Sequence, residues 1–200
     1  AERGLAQGRS GGELEGMAAG AAQARRHRLP GAVVVDCSNL IRLVRMVKSP
    51  DELARMERAA VLAEAAAQAS LAQARVGCSF LELSAAFRSQ IAQGGADLDH
   101  FAYGPRGLGI ATEPEYVLAA DDVMYVDFGC VYRNYCSDSG LTLALRSLSP
   151  ELERRYAALH QCLELGGEAM RPGVRASQVQ RAMRRYLAGQ GLTASFPHGH

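Results

Sequence analysis

The strongest constraint in this sequence is a carboxylate inside an apolar strand. Val123-Met124-Tyr125-Val126-Asp127-Phe128-Gly129 reads as a nearly continuous β run interrupted by Asp127. Burying an unpaired carboxylate is expensive, so Asp127 must take a proton, pair with a cation or hold a metal. A second aspartate, Asp138, follows in Tyr135-Cys136-Ser137-Asp138-Ser139-Gly140, at the start of a second strand read over Tyr135 to Leu145. A hairpin over 123 to about 144 turning at Tyr132-Arg133 sets the two aspartates directly opposite each other on one face. Opposed Cβ atoms in such a pair lie roughly 4.5–5.5 Å apart. Carboxylates at that spacing can share the cations of a two-metal site, where the ions sit about 3.5–4 Å apart. Without a cation they repel, and one takes a proton. A plainer reading stays open, in which Asp138 is only a turn residue and Asp127 pairs with an arginine such as Arg133.

The five histidines are His27, His100, His160, His198 and His200. His160 reads as a structural residue on a helix. Phe196-Pro197-His198-Gly199-His200 sets two imidazoles beside a flexible glycine. Imidazole combined with carboxylates suits Mn, Co, Fe or Zn better than Ca or Mg.

Other chemistries find little support. Lys plus Arg number 22 against 21 Asp plus Glu, a net charge of +1, so no global field steers nucleic acid or an anionic membrane. Aromatics are 6% with no Trp, which disfavours a base-stacking platform. No apolar run reaches the roughly 18 residues of a membrane span. No dinucleotide Gly-x-Gly-x-x-Gly, phosphate loop or Gly-x-Ser-x-Gly elbow is present, and Gly104 to Gly109 reads as a loop. The cysteines, Cys37, Cys78, Cys130, Cys136 and Cys162, are odd in number and never spaced Cys-x-x-Cys, so reduced thiols in a cytoplasmic protein are expected. A chain that opens at Ala1 without Met or a leader reads as a fragment or a processed protein.

Residues 1 to 12 read as a loop, and Glu13 to Arg28 as an Ala-rich helix whose Arg25-Arg26-His27-Arg28 complements its C-terminal dipole. Ala32 to Asp36 reads as a short buried strand and 38 to 48 as a connecting segment. Ser49-Pro50-Asp51-Glu52 starts a helix running to about Arg75, with Gly77 after it. Ser79 and Glu82 start the next, with Phe80, Leu83, Phe87 and Ile91 on one face and Gly94-Gly95 at its end. Ser149-Pro150-Glu151 opens a third, and Val179, Ala182, Met183, Tyr186 and Leu187 mark a fourth, with Arg181, Arg184 and Arg185 on its solvated face. The order of these features repeats: Ser49-Pro50 recurs as Ser149-Pro150, Gly77 as Gly173 and Phe101 as Phe196. Two related helix-helix-strand units around a shared sheet give an α+β architecture.

Asp127-Phe128-Gly129, Tyr135-Cys136-Ser137-Asp138 and Gly199-His200, taken in order, resemble the pita-bread metallopeptidase superfamily of methionine aminopeptidases, Xaa-Pro aminopeptidases, prolidases and metal-free creatinases. The lead-in Arg45 to Glu52 and the turn Arg171-Pro172-Gly173 resemble its prolidase-creatinase branch. The resemblance implies a pseudo-twofold pita-bread fold, with residues 1–44 as the tail and linker of a smaller N-terminal domain and 45–200 as the N-terminal part of the catalytic domain. It implies metal ligands at Asp127, Asp138 and His200 for two divalent ions (Mn, Co, Fe or Zn). The activity implied is a C–N hydrolase of the Xaa-Pro aminopeptidase or dipeptidase kind, acting on a small peptide or amide with a bridging hydroxide. A cytoplasmic homodimer without nucleic-acid or membrane partners is implied as well. The family's two further glutamate ligands follow its histidine, so the sequence is expected to continue past His200. The pattern departs in three places: no His occurs in Ile110 to Tyr116, Leu141-Thr142 stands where Arg-Thr is common, and Asp121-Asp122 stands for Gly-Asp. Two other readings remain, a non-catalytic relative used for binding or dimerisation and a creatinase-type small-amide hydrolase. The second conflicts with Asp127 and Asp138, carboxylates the metal-free branch has lost.

Overall fold

The computed structural model describes residues 7–104 and 115–192. The chain divides into two compact units, Ala1–Leu53 and Ala54–His200.

The first unit contains β1 (Arg9–Gly12), α1 (Ala19–Arg28), β2 (Val33–Asp36) and α2 (Ser38–Met46). The expected loop over residues 1 to 12 is in part a strand, since β1 pairs in parallel with β2. The expected strand at 32 to 36 is present but not buried; Val33 and Val35 are 55% and 42% exposed, because one partner strand covers little of it. Residues 38 to 48, expected as a connector, are mostly helical. Asp36 supplies the missing start signal: its Oδ1 accepts hydrogen bonds from the Ser38 amide at 3.1 Å and the Ser38 hydroxyl at 2.6 Å. The basic cluster fills the last turn of α1, as the dipole argument requires.

The second unit begins within α3 (Pro50–Leu71), capped by a complete capping box between Ser49 and Glu52. The buried face of α3 is Ala59, Ala63, Ala66, Ala67 and Ser70. These small side chains let the helix backbone approach the sheet, close enough for the Cys130 thiol to meet the Ala59 carbonyl at 3.3 Å. Ser70 Oγ donates to the Leu83 carbonyl at 2.6 Å and ties α3 to α4 (Phe80–Gln93). Helix α4 buries Phe80, Leu83, Phe87 and Ile91, the expected face.

A four-stranded sheet lies against these helices. It is built from β3 (Asp97–Gly104), β4 (Val123–Tyr132), β5 (Tyr135–Cys136) and β6 (Ser139–Ala144). Strand β4 is central, antiparallel to β3 on one side and to β5 and then β6 on the other. Its Met124, Val126, Phe128 and Cys130 are buried in the core. Phe101 and Tyr103 of β3 stack on α4, with Phe80–Tyr103 ring centroids 3.8 Å apart and Phe87–Phe101 centroids 4.5 Å apart. Strand alternation sends the intervening residues of both strands, among them His100, Ala102, Asp127 and Gly129, to the other face.

The turn between β4 and β5 lies at Arg133-Asn134, one residue later than expected. Both have left-handed backbones, φ 49° and 69°, as a two-residue hairpin of the mirror-image type requires. Helix α5 (Pro150–Ala169) packs on α6 (Ala176–Gly189), where the Cys162 thiol meets the Met183 carbonyl at 3.7 Å. The repeat is visible in this unit: α4 and α6 each have 14 residues, and the glycines before them, Gly77 and Gly173, share φ +83°. Phe196 lies outside the described residues. All five cysteines are unpaired. No described helix is long and apolar enough to cross a membrane.

The aromatic stack is the main tie between α4 and the sheet. Phe87→Ala is expected to lower stability by about 3–5 kcal/mol. Urea denaturation checks this, with a shifted midpoint and an unchanged slope.

Candidate metal centre

On the sheet face turned away from the helices, β4 carries Asp127 between Ala102 of β3 and Gly140 of β6. The aspartates are therefore not directly opposed. The partner of Asp127 is Gly140, and the same register places Asp138 level with Gly129. Moving the turn by one residue moves the cross-strand partner by two, and a shift of two keeps every side chain on its face. Asp138 consequently remains diagonal to Asp127 on the same face, within reach of it. The expected single strand over Tyr135 to Leu145 is also broken, at Ser137-Asp138. Buried Ser137 bridges the break: its amide donates to the Cys130 carbonyl at 2.9 Å, and its hydroxyl accepts from the Cys130 amide at 3.1 Å.

A histidine completes the cluster. His100 pairs across the ladder with Gly129, so imidazole, glycine and Asp138 lie in one row. His100 Nε2 is 3.1 Å from Asp127 Oδ1 and 3.7 Å from Asp138 Oδ1. Its Nδ1 is 3.1 Å from Asp99 Oδ2. One ligand atom from each of His100, Asp127 and Asp138 lies within 4.8 Å of the others. The cluster opens outward, with side chains 27% exposed at Asp127, 31% at His100 and 60% at Asp138.

Gly129 makes this convergence possible. A Cβ there would stand 2.3 Å from the Ser137 carbonyl oxygen and 2.7 Å from His100 Cε1. The space a side chain would fill is where the imidazole leans toward the aspartates.

The charges respond to one another. Burial pulls the His100 pKa down, but hydrogen bonds and charge from Asp99 and Asp127 outweigh it and hold the imidazole above its usual 6.5. Tyr125, on the same face of β4, is pushed up by burial and then by the charge of Asp127. Both effects mark a concentration of negative charge suited to a cation.

Arg133 is no partner of this cluster in the way the plainer reading required; its guanidinium lies over the Tyr132 ring at 5.5 Å. His160 lies on α5 with Glu164 at 3.7 Å. His198 and His200 fall outside the described residues, as does all of Ile110 to Pro114. Leu141, which stands where the resembled pattern has Arg, pairs with Val126 and packs against the core. Asp122 is a structural lock, accepting from the Ala119 amide at 2.7 Å and the Tyr116 hydroxyl at 2.8 Å. His100 is the residue that sequence reasoning passed over. Its signal is alternation in Asp99-His100-Phe101-Ala102-Tyr103: with Phe101 and Tyr103 inward, His100 must point to the face of Asp127.

The donor set fits a divalent ion. Imidazole nitrogen with two carboxylates is a transition-metal combination, and the three donors converge without an intervening side chain.

Comparison with known proteins agrees with the geometry. A model of metallopeptidase family M24 matches residues 54–200. The uncharacterized peptidase YqhT of Bacillus subtilis is 27% identical over 178 residues, covering 84% of this chain and 50% of its own. The solved structure of an Xaa-Pro dipeptidase from Bacillus anthracis is 25% identical with TM-score 0.79, over 94% of this chain and 54% of that one. The prolidase of Pyrococcus horikoshii, 22% identical over 95% of this chain and 56% of its own, has TM-score 0.81 and shares the fold. The architecture is thus the pita-bread fold. The chain spans about half the length of the curated relatives it matches.

Gly129→Ala is expected to cost about 1–3 kcal/mol through overpacking and to turn the His100 ring away from Asp127. Denaturant midpoints measure the first effect. The His100 ring resonances of the metal-free protein report the second, since they lose the influence of Asp127.

Proposed function

This chain belongs to metallopeptidase family M24, and from that premise we propose that the whole protein is a metal-dependent hydrolase of C–N bonds, cleaving short peptides of the Xaa-Pro type. The observation that carries the proposal is the meeting of Asp127 and Asp138 on one open sheet face beside an imidazole. The similarity to the structure of an Xaa-Pro dipeptidase supports the substrate class.

Asp127, Asp138 and His200 are the proposed protein ligands for two divalent ions of the Mn, Co, Fe or Zn group. When bound, such ions would supply Lewis acidity toward the scissile carbonyl and lower the pKa of water enough to give a nucleophile at neutral pH. The chain's own residues prepare that chemistry. The β3–β4–β6 ladder holds the Asp127 backbone by pairing on both sides, which places its carboxylate on the site face before any ion binds. Ser137 fixes the break that carries Asp138. Ala102 and Gly140, the ladder neighbours of Asp127, leave the approach to the carboxylate open; a Cβ at Gly140 would meet nothing closer than 3.5 Å. A cytoplasmic homodimer belongs to the same proposal, on the family resemblance and the unpaired thiols.

Asp127→Asn keeps the shape of the side chain and removes its charge. In the full-length protein it is expected to abolish bound divalent metal and Xaa-Pro hydrolysis while leaving the melting temperature within a few degrees. Elemental analysis of the purified variant beside an Xaa-Pro dipeptide assay checks this. Full metal stoichiometry in the variant contradicts the proposal.

A further inference from the structure

We propose that His100 is itself a metal ligand through Nε2, sharing an ion with Asp127 and Asp138, and that Asp99 is its positioning residue. The inference rests on the metal-dependent reading above and adds a donor that the Asp-Asp-His pattern does not contain.

The distances support direct ligation. Two donors each about 2.1 Å from one ion stand about 3.0 Å apart at a right angle and about 3.4 Å apart at the tetrahedral angle. His100 Nε2 lies 3.1 Å from Asp127 Oδ1, between those values, and 3.7 Å from Asp138 Oδ1, a few tenths of an ångström beyond the larger. The far side of the ring has the arrangement that ligating histidines use. Nδ1 faces the Asp99 carboxylate at 3.1 Å, which places the proton on Nδ1 and leaves the Nε2 lone pair for a cation. The backbone is shaped for this ring as well: Gly129, directly across the ladder, supplies the gap into which Cε1 leans. A surface histidine that merely paired with a carboxylate would need neither the gap nor the second carboxylate behind it. Strand β3 thus contributes a ligand, and the described part of the chain brings three protein donors to one ion from three separate backbone segments.

The test uses the full-length protein, stripped of metal and titrated with Co(II). The wild type is expected to show a strongly shifted, solvent-exchangeable ring N–H proton from the Nδ1–H of His100. His100→Gln is expected to lose that signal and to bind Co(II) on the order of 10- to 100-fold more weakly, with matched circular dichroism. Asp99→Asn, a change at an exposed carboxylate, decides the question without removing the ring. It should move the same resonance and weaken Co(II) binding, while keeping the d–d absorption of a nitrogen-containing site. If Asp127→Asn abolishes Co(II) binding but His100→Gln and Asp99→Asn leave spectrum and affinity unchanged, His100 is not a ligand and this inference fails, with the metal-dependent reading intact. If Asp127→Asn itself binds Co(II) like the wild type, the functional reading fails, and His100 loses its ion with it.

Discussion

Two carboxylates and an imidazole held within 4.8 Å of one another on a sheet face are the arrangement on which this unit depends. Carboxylates brought this close repel unless a cation or a proton intervenes. A flexible loop would relieve the repulsion by moving apart. Here Asp127 is locked into the central strand by ladders on both sides, and Asp138 is held through the reciprocal bonding of Ser137 with Cys130. The repulsion is therefore available as binding energy for a cation, and the helices and the core serve to keep the strands where they are.

The opposite face of the same strands explains how that rigidity arises. Residues alternate along β4, so each carboxylate or glycine on the site face has core neighbours in Val126, Phe128 and Cys130. The aromatic stack of Phe80, Phe87, Phe101 and Tyr103 fastens β3 to α4 and thereby fixes the position of His100 one residue away. The alanine face of α3 seats the helix close behind β4. Packing on one face and chemistry on the other are two consequences of a single period-2 pattern.

Much of this was legible in the residues because the signals are local. Ser49, Ser79 and Ser149 each accept from an amide in the first turn of the helix they open, as cap residues should. The face of α4 follows from spacing alone. Asp127 stands out because nothing apolar explains it. The register was less legible: symmetry about Tyr132-Arg133 favoured direct opposition, whereas the left-handed conformations fall on Arg133 and Asn134. That error left the face intact because side chains repeat every second residue. What sequence could not weigh was long-range. Alternation sets the face of its strand on which His100 stands, but only the pairing of β3 with β4 brings it to Asp127, 27 residues away. Helix α2 was missed for the opposite reason, since its start depends on one side-chain contact from Asp36 rather than on a capping serine.

The central claim is that this face binds metal through strand-borne donors. The most direct test is an anomalous difference map from crystals of the full-length protein grown with Mn(II), with data collected on both sides of the manganese absorption edge. The account predicts an edge-dependent peak touching Asp127 Oδ1, Asp138 and His100 Nε2. A map with no edge-dependent density among these side chains, at saturating Mn(II), contradicts it.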